Sequence, residues 1–472
     1  MKFQSIATQS SSSTVAGKEL VESLLNREIA DWRHDYRDAF LELTRRELQP
    51  GGVALMQRGL QLLAESVVND DGQSIGDVVT TSWDSTADDI VTVIWQGTGP
   101  RIPLDDLRAK AHDWVANHLA EPGFEHALNS STETVESAGL LVALAAGAEC
   151  APTRIWLEAG GSAAAIMRPN LERWKALMQA ASAGSRLYVP IRRSALAGKQ
   201  APTSLDDIAA VAGLDVVADL HLVSQWLRQL ADSGACEPRM ILAGFGYSPG
   251  ASHVLLQAAQ DALMATVTQH VSQALVTWLG TPTDSLLTPM SVFQDRLARH
   301  QSRGPLTKVR DAVLDGLGGH LSRAPRPAEV SVYGNDYSLL DCSADMQGPN
   351  YLIAKRSQRW RAMVASAAGI RVAYCVTPAA RTHSVLDFRI LRATYRGAPR
   401  FGVVPFSVAD TQQTAAQLLL GFVEQQADAT DPTSLYLERA VHGGLWRCAY
   451  EPHTIWKPAT VVGWPALLRP GF

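Results

Sequence analysis

Three side chains in the carboxy-terminal half of the chain have types and a spacing that could move a proton. Ser338 precedes Tyr351 by thirteen residues, and Lys355 follows Tyr351 by four. A phenol has an unperturbed pKa of about 10, too high to donate and recover a proton easily near neutrality. A lysine one helical turn later lies on the same face, and its positive charge lowers that pKa. A serine hydroxyl close by could hold a carbonyl oxygen while the phenol protonates it.

The same spacing occurs in the catalytic motif of the short-chain dehydrogenase/reductase family, and the chain resembles that family over residues 152–446. A predicted strand precedes Ser338, and a helix predicted over 351–367 carries Tyr351 and Lys355. The resemblance implies an NADP(H)-dependent oxidoreductase with this triad as its catalytic residues. It points to a ketoreductase that acts on a small-molecule or acyl carbonyl substrate in a biosynthetic, polyketide-like pathway.

The resemblance also implies where a nicotinamide dinucleotide would bind. Gly160, Gly161 and Ser162 stand at the family's phosphate loop, where small residues let the backbone approach the pyrophosphate. Arg192 and Arg193 follow a predicted strand and could meet a 2′-phosphate, which favours NADP(H) over NAD(H). The other implied contacts, from the adenine to the nicotinamide, are Asp219, Gly244, Gly246, Lys355, Pro378 and Thr382.

The sequence departs from the family pattern at several positions. Alanines at 163–165 replace the later glycines of the phosphate loop, and Pro378-Ala379 replaces proline-glycine. The family's tetrad asparagine is missing; His270 could stand in for it, although a surface or core histidine is the simpler interpretation. The glycines also suit a plain strand-to-helix turn, and the arginines a solvated pair. The alternative function is therefore a catalytically inactive protein of this fold that serves in binding or as a scaffold.

Strand-like and helix-like segments alternate after Pro152, which predicts an α/β fold with a doubly wound parallel sheet of the Rossmann type. The predicted strands lie at 153–158, 186–191, 215–218, 239–243, 329–333 and 370–376. Gly160-Gly161-Ser162 is predicted to open a helix to about residue 183, and the helix after Gly246 to reach about residue 278. Residues 281–328 break the alternation and predict an insertion that covers the substrate end of the site.

The first 150 residues contain no motif with chemistry and predict a small α+β module for dimerisation or substrate contact, so that a homo-oligomer is expected. Its predicted elements are helices at 15–47 and up to about 68, a hairpin of strands at 77–83 and 89–95, and a helix that opens at Pro103. The predicted domains are thus 1–150, a Rossmann-like domain at 151–456 and a carboxy-terminal arm at 457–472.

The composition excludes several other classes of protein. Hydrophobic residues make up 46% and charged residues 19% of the 472, which is typical of a globular chain of two or three domains. The net charge of −5 gives no electrostatic reason to expect nucleic acid or an anionic membrane as partner. The most apolar stretch, 138–151, is too short for a membrane span and contains Glu149. Five cysteines without a CxxC pair argue against disulfides or structural zinc and favour a reducing cytoplasm.

Overall fold

Strands and helices alternate along most of the chain. The computed structural model describes residues 3–5, 15–85, 89–316, 318–332, 334–423 and 433–465. Its strands are β1 (Phe3–Ser5), β2 (Val67–Asn69), β3 (Ile90–Gln96), β4 (Leu140–Leu144), β5 (Ser162–Ile166), β6 (Arg186–Arg192), β7 (Met240–Gly244), β8 (Ala274–Gly280), β9 (Ser285–Pro289), β10 (Glu329–Val332), β11 (Asn335–Asp341) and β12 (Arg371–Val376).

The helices that alternate with these strands range from one to five turns. In chain order they are α1 (Val15–Leu25), α2 (Trp32–Glu47), α3 (Gly52–Ser66), α4 (Ile75–Asp84), α5 (Arg108–Ala116), α6 (Pro122–Ser130), α7 (Thr153–Glu158), α8 (Leu171–Gln179), α9 (Leu205–Val211), α10 (Leu220–Asp232), α11 (Ala251–His270), α12 (Met290–Gln301), α13 (Pro305–Asp315), α14 (Gly348–Ala367), α15 (His383–Leu386), α16 (Arg389–Gly397), α17 (Val408–Val423), α18 (Ser434–Leu437) and α19 (Trp456–Gly463). Within the described ranges, no helix is both long and apolar enough to cross a membrane.

The central sheet has seven strands in the order β12-β8-β7-β4-β5-β6-β3. All neighbouring pairs are parallel except β3 and β6, which are antiparallel. If the six parallel strands are counted along the chain, their order from β6 to β12 is 3-2-1-4-5-6, which is the order of a doubly wound dinucleotide-binding sheet. The prediction of an α/β fold with a parallel sheet is confirmed, and the chain order reverses at β4.

The sequence of the central strands explains their position. A strand covered on both faces reads as a continuous apolar run, and β4 (LLVAL) is buried along its whole length. Leu140, Val142 and Leu144 enter one core, whereas Leu141 and Ala143 enter the core on the other face. Because successive side chains of a strand point to opposite faces, helices must cover both sides of this sheet.

The helices before residue 150 belong to the same core as the sheet. Leu43, Leu60 and Val79, on α2, α3 and α4, pack in the core that contains Val142 of β4. Both β3 and β4 precede residue 151 and lie in the central sheet. The predicted boundary at 150 therefore falls between two adjacent strands of one sheet. Of the predicted carboxy-terminal arm, residues 457–463 belong to α19, and residues 466–472 lie outside the described residues.

Three predicted strands are wrong, each for a local reason. Residues 77–83 form part of α4, because the Ser74 hydroxyl accepts a hydrogen bond from the Asp77 N–H and caps the helix. Residues 153–158 form α7 after Pro152; a six-residue apolar run has no periodicity that separates strand from helix. Residues 215–218 form a turn, in which the Asp215 carboxylate accepts the N–H groups of the residues two and three positions later.

Helix predictions fail where tertiary packing overrides local propensity. Residues 162–166 form β5 although they include three alanines, because the backbone pairs in parallel with β4 on one side and β6 on the other. The helix predicted to reach residue 278 ends at His270, and β8 follows. The helix predicted over 15–47 is interrupted between α1 and α2, and the one predicted to open at Pro103 begins at Arg108.

A second sheet of three antiparallel strands, in the order β10-β11-β9, lies outside the central sheet. The strand predicted at 329–333 is its strand β10, so it is not the fifth parallel strand; Tyr333 lies outside the described residues. The fifth parallel strand is β8, at 274–280. The segment that separates β8 from α14 therefore covers residues 281–347, which is longer than the predicted insertion.

Candidate functional site

A cavity of about 1580 Å³ opens along the carboxyl ends of the central strands. Its walls include Gly147 after β4, Phe245 after β7, Thr281 after β8 and Pro378 after β12. Open α/β sheets bind ligands at this edge, where the strand order reverses. Because typical small-molecule pockets measure about 300–1,000 Å³, this cavity could hold a ligand and a second molecule together.

Tyr351, in the first turn of α14, contacts the residue that follows β8. Its hydroxyl donates a hydrogen bond to Oγ1 of Thr281 at 3.0 Å, and the hydroxyls of Thr281 and Thr283 lie 2.7 Å apart. Enclosure by protein raises the pKa of Tyr351 to about 12, although its hydrogen bonds with the two threonines lower it. The expectation that Lys355 lowers the pKa of Tyr351 is therefore not met, and the phenol is protonated at neutral pH and can act as a donor.

Lys355 lies one helical turn after Tyr351 and also lines the cavity. Its Nζ donates to the carbonyl oxygen of Leu279 at 2.8 Å and to Oε1 of Gln358 at 3.3 Å. The amide of Gln358 in turn donates to Oε1 of Gln257 on α11 at 2.7 Å. Burial lowers the pKa of Lys355 to about 8. The lysine is thus held by neutral groups and carries its charge at neutral pH.

Ser338, the third member of the predicted triad, lies elsewhere. It belongs to β11, where it is paired with Thr288 of β9, and it is buried outside the cavity lining. The thirteen-residue spacing is therefore met by a serine of the second sheet. The hydroxyl beside Tyr351 is that of Thr281, seventy residues earlier, because the 281–347 segment separates β8 from α14. A search for a hydroxyl directly after an apolar strand could have found it.

The predicted phosphate-loop residues Gly160, Gly161 and Ser162 lie at the opposite edge of the sheet. They precede and begin β5, whereas the cavity lies at its carboxyl end. Gly160 has a φ of +100°, and a Cβ at Gly161 would come within 2.4 Å of the Trp156 indole nitrogen. These glycines are therefore required by a tight turn against Trp156, which is the plain structural interpretation.

Two further predicted contacts, Arg192 and Asp219, pair with each other instead of facing the cavity. Arg193 donates its backbone N–H to the carbonyl oxygen of Asp89 at 2.8 Å, and it too lies outside the cavity lining. Arg192 ends β6 and Arg193 follows it; this strand is the third of the parallel strands and lies farther from the reversal point than β5. The structure therefore does not bring these three residues to the cavity.

The remaining predicted site residues lie partly at the carboxyl edge of the central sheet, where the cavity opens, and partly at its amino-terminal edge. Gly244 and Gly246 flank the cavity residue Phe245, but a Cβ at Gly244 would lie 2.7 Å from Trp278 and one at Gly246 would lie 2.6 Å from Gln260. His270 ends α11 at the amino-terminal edge, where its ring lies 5.1 Å from that of Trp83. His270 therefore lies outside the cavity lining. Pro378 and Thr382 line the cavity, as Tyr351 and Lys355 do.

The loop after β4, residues 145–152, is part of the site that the sequence analysis missed. Ala145 has a φ of +71°, and a Cβ at Gly147 would lie 2.5 Å from Sδ of Met167. Glu149 accepts hydrogen bonds from the N–H and Nδ1 of His383, at 3.0 and 2.6 Å, and so ties this loop to the segment after β12. The available signal was the apolar run of β4, followed by the small residues Ala-Ala-Gly-Ala.

Two arginines and a histidine were also missed. Arg154 and Arg173 line the cavity on the side of β4 and β5. His253, in the first turn of α11, lies against Tyr351 with ring centroids 5.7 Å apart. Arg154 lies in a segment that was predicted as a strand but forms α7. Arg173 and His253 lie in helices that begin later than predicted, so no local pattern marked these residues.

Comparison of the sequence with protein-family models and with curated proteins finds no match. Among the described residues, no group of three or more His, Cys, Asp or Glu side chains is arranged to hold a metal ion.

Proposed function

We propose that this protein is an NADP(H)-dependent oxidoreductase of the short-chain dehydrogenase/reductase type that reduces a ketone. Tyr351 is its proton donor, Lys355 supplies the neighbouring positive charge, and Thr281 takes the role that the sequence predicts for Ser338. The observation that carries the proposal is the 3.0 Å hydrogen bond from the Tyr351 hydroxyl to Thr281 at the carboxyl end of the fifth parallel strand. Lys355 lines the same cavity, so that a phenol, a hydroxyl and an ammonium group share it.

In this mechanism the chain orients a carbonyl group and protonates its oxygen. The Thr281 hydroxyl orients the carbonyl oxygen, and the Tyr351 hydroxyl donates its proton as negative charge develops there. NADPH would supply the hydride to the carbonyl carbon. The ammonium of Lys355 stabilises the phenolate that remains, and the Leu279 carbonyl and Gln358 hold this ammonium in place. Water then returns a proton to the phenol.

The cavity has groups that suit both ends of NADP(H). Arg173 lies in the first turn of α8, just beyond β5, where sheets of this order place the adenosine ribose, and its charge would suit a 2′-phosphate. At the other end, Lys355, Pro378 and Thr382 would hold the nicotinamide riboside. Glu149 is unfavourable to a pyrophosphate, but its charge is paired with His383, whose pKa it raises.

The mouth of the cavity favours an apolar ketone. Leu386, Phe388, Ile390 and Leu391 line it, and Phe388 and Ile390 are 65% and 58% exposed. Exposed apolar groups clustered at a cavity mark a surface that a ligand covers. An acyl chain of a biosynthetic intermediate, bearing the carbonyl to be reduced, fits this lining. A reducing cytoplasm is the proposed location, which the five unpaired thiols support.

The second candidate is an inactive protein that uses the same cavity to bind a ligand. Glu149 favours it, because a carboxylate in the loop after the first parallel strand repels a pyrophosphate. Ala145 favours it as well, since a φ of +71° is a conformation for which this loop normally uses glycine. Such a protein would bind an apolar ligand without a dinucleotide.

Titration calorimetry with NADPH and with NADH separates the two candidates. The reductase should bind NADPH more tightly than NADH, because a charge-assisted bond to a 2′-phosphate adds about 1.5–3 kcal/mol. It should then oxidise NADPH in the presence of a β-ketoacyl thioester or a small ketone. Failure to bind either nucleotide would contradict the reductase and favour the inactive binding protein.

A further inference from the structure

His253 is an enclosed imidazole that the proposed mechanism does not use. It lies in the first turn of α11, lines the cavity and is only 1% exposed. Its ring centroid lies 5.7 Å from that of Tyr351 and 5.0 Å from that of Tyr247. The ring therefore packs against the ring of the proposed proton donor.

Both ring nitrogens of His253 lack a hydrogen-bond partner among the described residues. A neutral imidazole has one donor and one acceptor, and leaving both unpaired in a buried place is unfavourable. Burial, with the nearby charge of Lys355, lowers the pKa of His253 to about 3, so the ring is neutral at physiological pH. A neutral, unpaired ring beside a reacting group is suited to a ligand oxygen that accepts or donates a hydrogen bond.

His442 shows how this chain satisfies a histidine whose role is structural. It is also buried, but its Nε2 lies 2.9 Å from a carboxylate oxygen of Glu121. Its Nδ1 accepts a hydrogen bond from the backbone N–H of Gly444 at 3.1 Å. Both nitrogens of His442 are thus occupied by protein, whereas His253 lines the cavity with both of its nitrogens unpaired among the described residues.

We infer that His253 binds a second oxygen of the substrate, next to the carbonyl that Tyr351 protonates. The Tyr351 hydroxyl is directed to Thr281 and to the reacting oxygen, so the oxygen at His253 must be a different one. The substrate class is therefore a ketone that carries another hydrogen-bonding oxygen close to the reacting carbonyl. This inference rests on the proposed function, because it assigns the reacting carbonyl to Tyr351.

Replacement of His253 by leucine should leave stability unchanged or raise it, because the change removes two unpaired polar atoms from a buried place. The matched control is His442→Leu, which removes the partner of the Gly444 N–H and one of the partners of the Glu121 carboxylate, whose other bonds are to Arg447, and should lower the melting temperature. Thermal unfolding of both variants measures this. A loss in His253→Leu as large as in His442→Leu would overturn the inference, since the histidine would then be structural.

Two ketones of equal chain length test the second oxygen. Ethyl acetoacetate has an ester beside its ketone, whereas 2-heptanone has the ketone alone. We expect His253→Leu to lower the ratio of kcat/KM for ethyl acetoacetate over 2-heptanone by about tenfold, the worth of one hydrogen bond. His253→Gln, which keeps a donor and an acceptor, should restore part of the ratio. An unchanged ratio in His253→Leu would overturn the inference.

Nuclear magnetic resonance with 15N-labelled histidine separates this inference from the proposed function. If neither ketone is reduced and NADPH does not bind, the proposed function has failed. The His253 ring nitrogens should nonetheless shift on addition of ethyl acetoacetate and not of 2-heptanone. No shift with ethyl acetoacetate would overturn the assignment of His253 as an oxygen-binding residue.

Discussion

Lys355 and Arg356 are neighbours on α14, and both are enclosed cations, but their surroundings differ. Arg356 donates to Glu47 at 2.8 Å and to Asp284 at 2.6 Å in a fully buried ion cluster. Lys355 donates only to neutral oxygens among the described residues, those of Leu279 and Gln358. A cation matched by carboxylates fixes packing, whereas one without a counter-charge is available for charge that arises in a reaction.

Two pairs of side chains on α14 therefore have different roles. Tyr351 and Lys355 line the cavity. Arg356 and Arg359 bind Glu47 of α2, which joins the amino-terminal helices to the helix that bears the candidate donor. Changes to the first pair should alter activity, and changes to the second should alter stability.

The largest expected effect is on stability. Glu47→Ala leaves two buried arginines short of a carboxylate and should lower the free energy of unfolding by about 3–5 kcal/mol. Glu65→Ala is the matched control, because Glu65 is exposed and its nearest cation, Arg58, is 3.8 Å away. Urea denaturation measures both. Equal effects of the two substitutions would show that the buried cluster does not hold the amino-terminal helices in place.

The next largest effect distinguishes Thr281 from Ser338 as the hydroxyl that orients the carbonyl oxygen. Thr281→Val should lower kcat/KM for ketone reduction by about 10²–10³, the usual effect of losing a hydrogen-bond donor at a developing oxyanion. Ser338→Ala should leave it nearly unchanged, because Ser338 lies in the second sheet. The opposite pattern in steady-state kinetics would restore Ser338 to the triad.

A pH series tests the lowered pKa of Lys355. The pKa of Lys355 is about 8 in the folded chain and about 10.4 when unfolded, so the unfolded state binds more protons between these values. Stability therefore rises with pH across this interval relative to Lys355→Met, while the rate of ketone reduction falls as the ammonium is lost. Denaturation and rates from pH 7 to 10.5 check both signs. A constant stability difference between the two proteins would contradict the lowered pKa.

The smallest effect concerns the choice of nucleotide. Arg173→Ala should reduce the preference for NADPH over NADH by about tenfold, as expected for one charge-assisted bond. Arg192→Ala is the control, since Arg192 is paired with Asp219 outside the cavity. Calorimetry with both nucleotides gives the two ratios. A loss of preference in Arg192→Ala alone would favour the original sequence-based assignment.

The parallel sheet could be predicted from the sequence because β6, β7 and β12 are apolar runs bounded by turn residues. The Tyr351 and Lys355 pair could be predicted as well, since both lie within a single helical turn. Thr281 could not, because its neighbour Tyr351 is seventy residues away and only the fold brings them together. The thirteen-residue spacing therefore pointed to Ser338, which lies within the inserted segment 281–347 and belongs to the second sheet.

The loop after β4 was missed for a different reason. The first parallel strand was placed at 153–158, and every later assignment of the phosphate loop followed that error. Leu140–Leu144 forms a strand, but its sequence is a continuous apolar run. Such a run alone does not distinguish a buried strand from part of a buried helix or of a membrane segment. Such ambiguity is resolved by partners distant in sequence, which local patterns do not contain.

Single-turnover oxidation of NADPH by wild type and by Tyr351→Phe tests the central claim most directly. Phenylalanine keeps the ring and its packing but removes the proton that Tyr351 directs toward Thr281. The rate of hydride transfer should fall by about 10²–10⁴, while the affinity for NADPH remains unchanged. Undiminished hydride transfer in Tyr351→Phe would mean that another group donates the proton and would contradict the account.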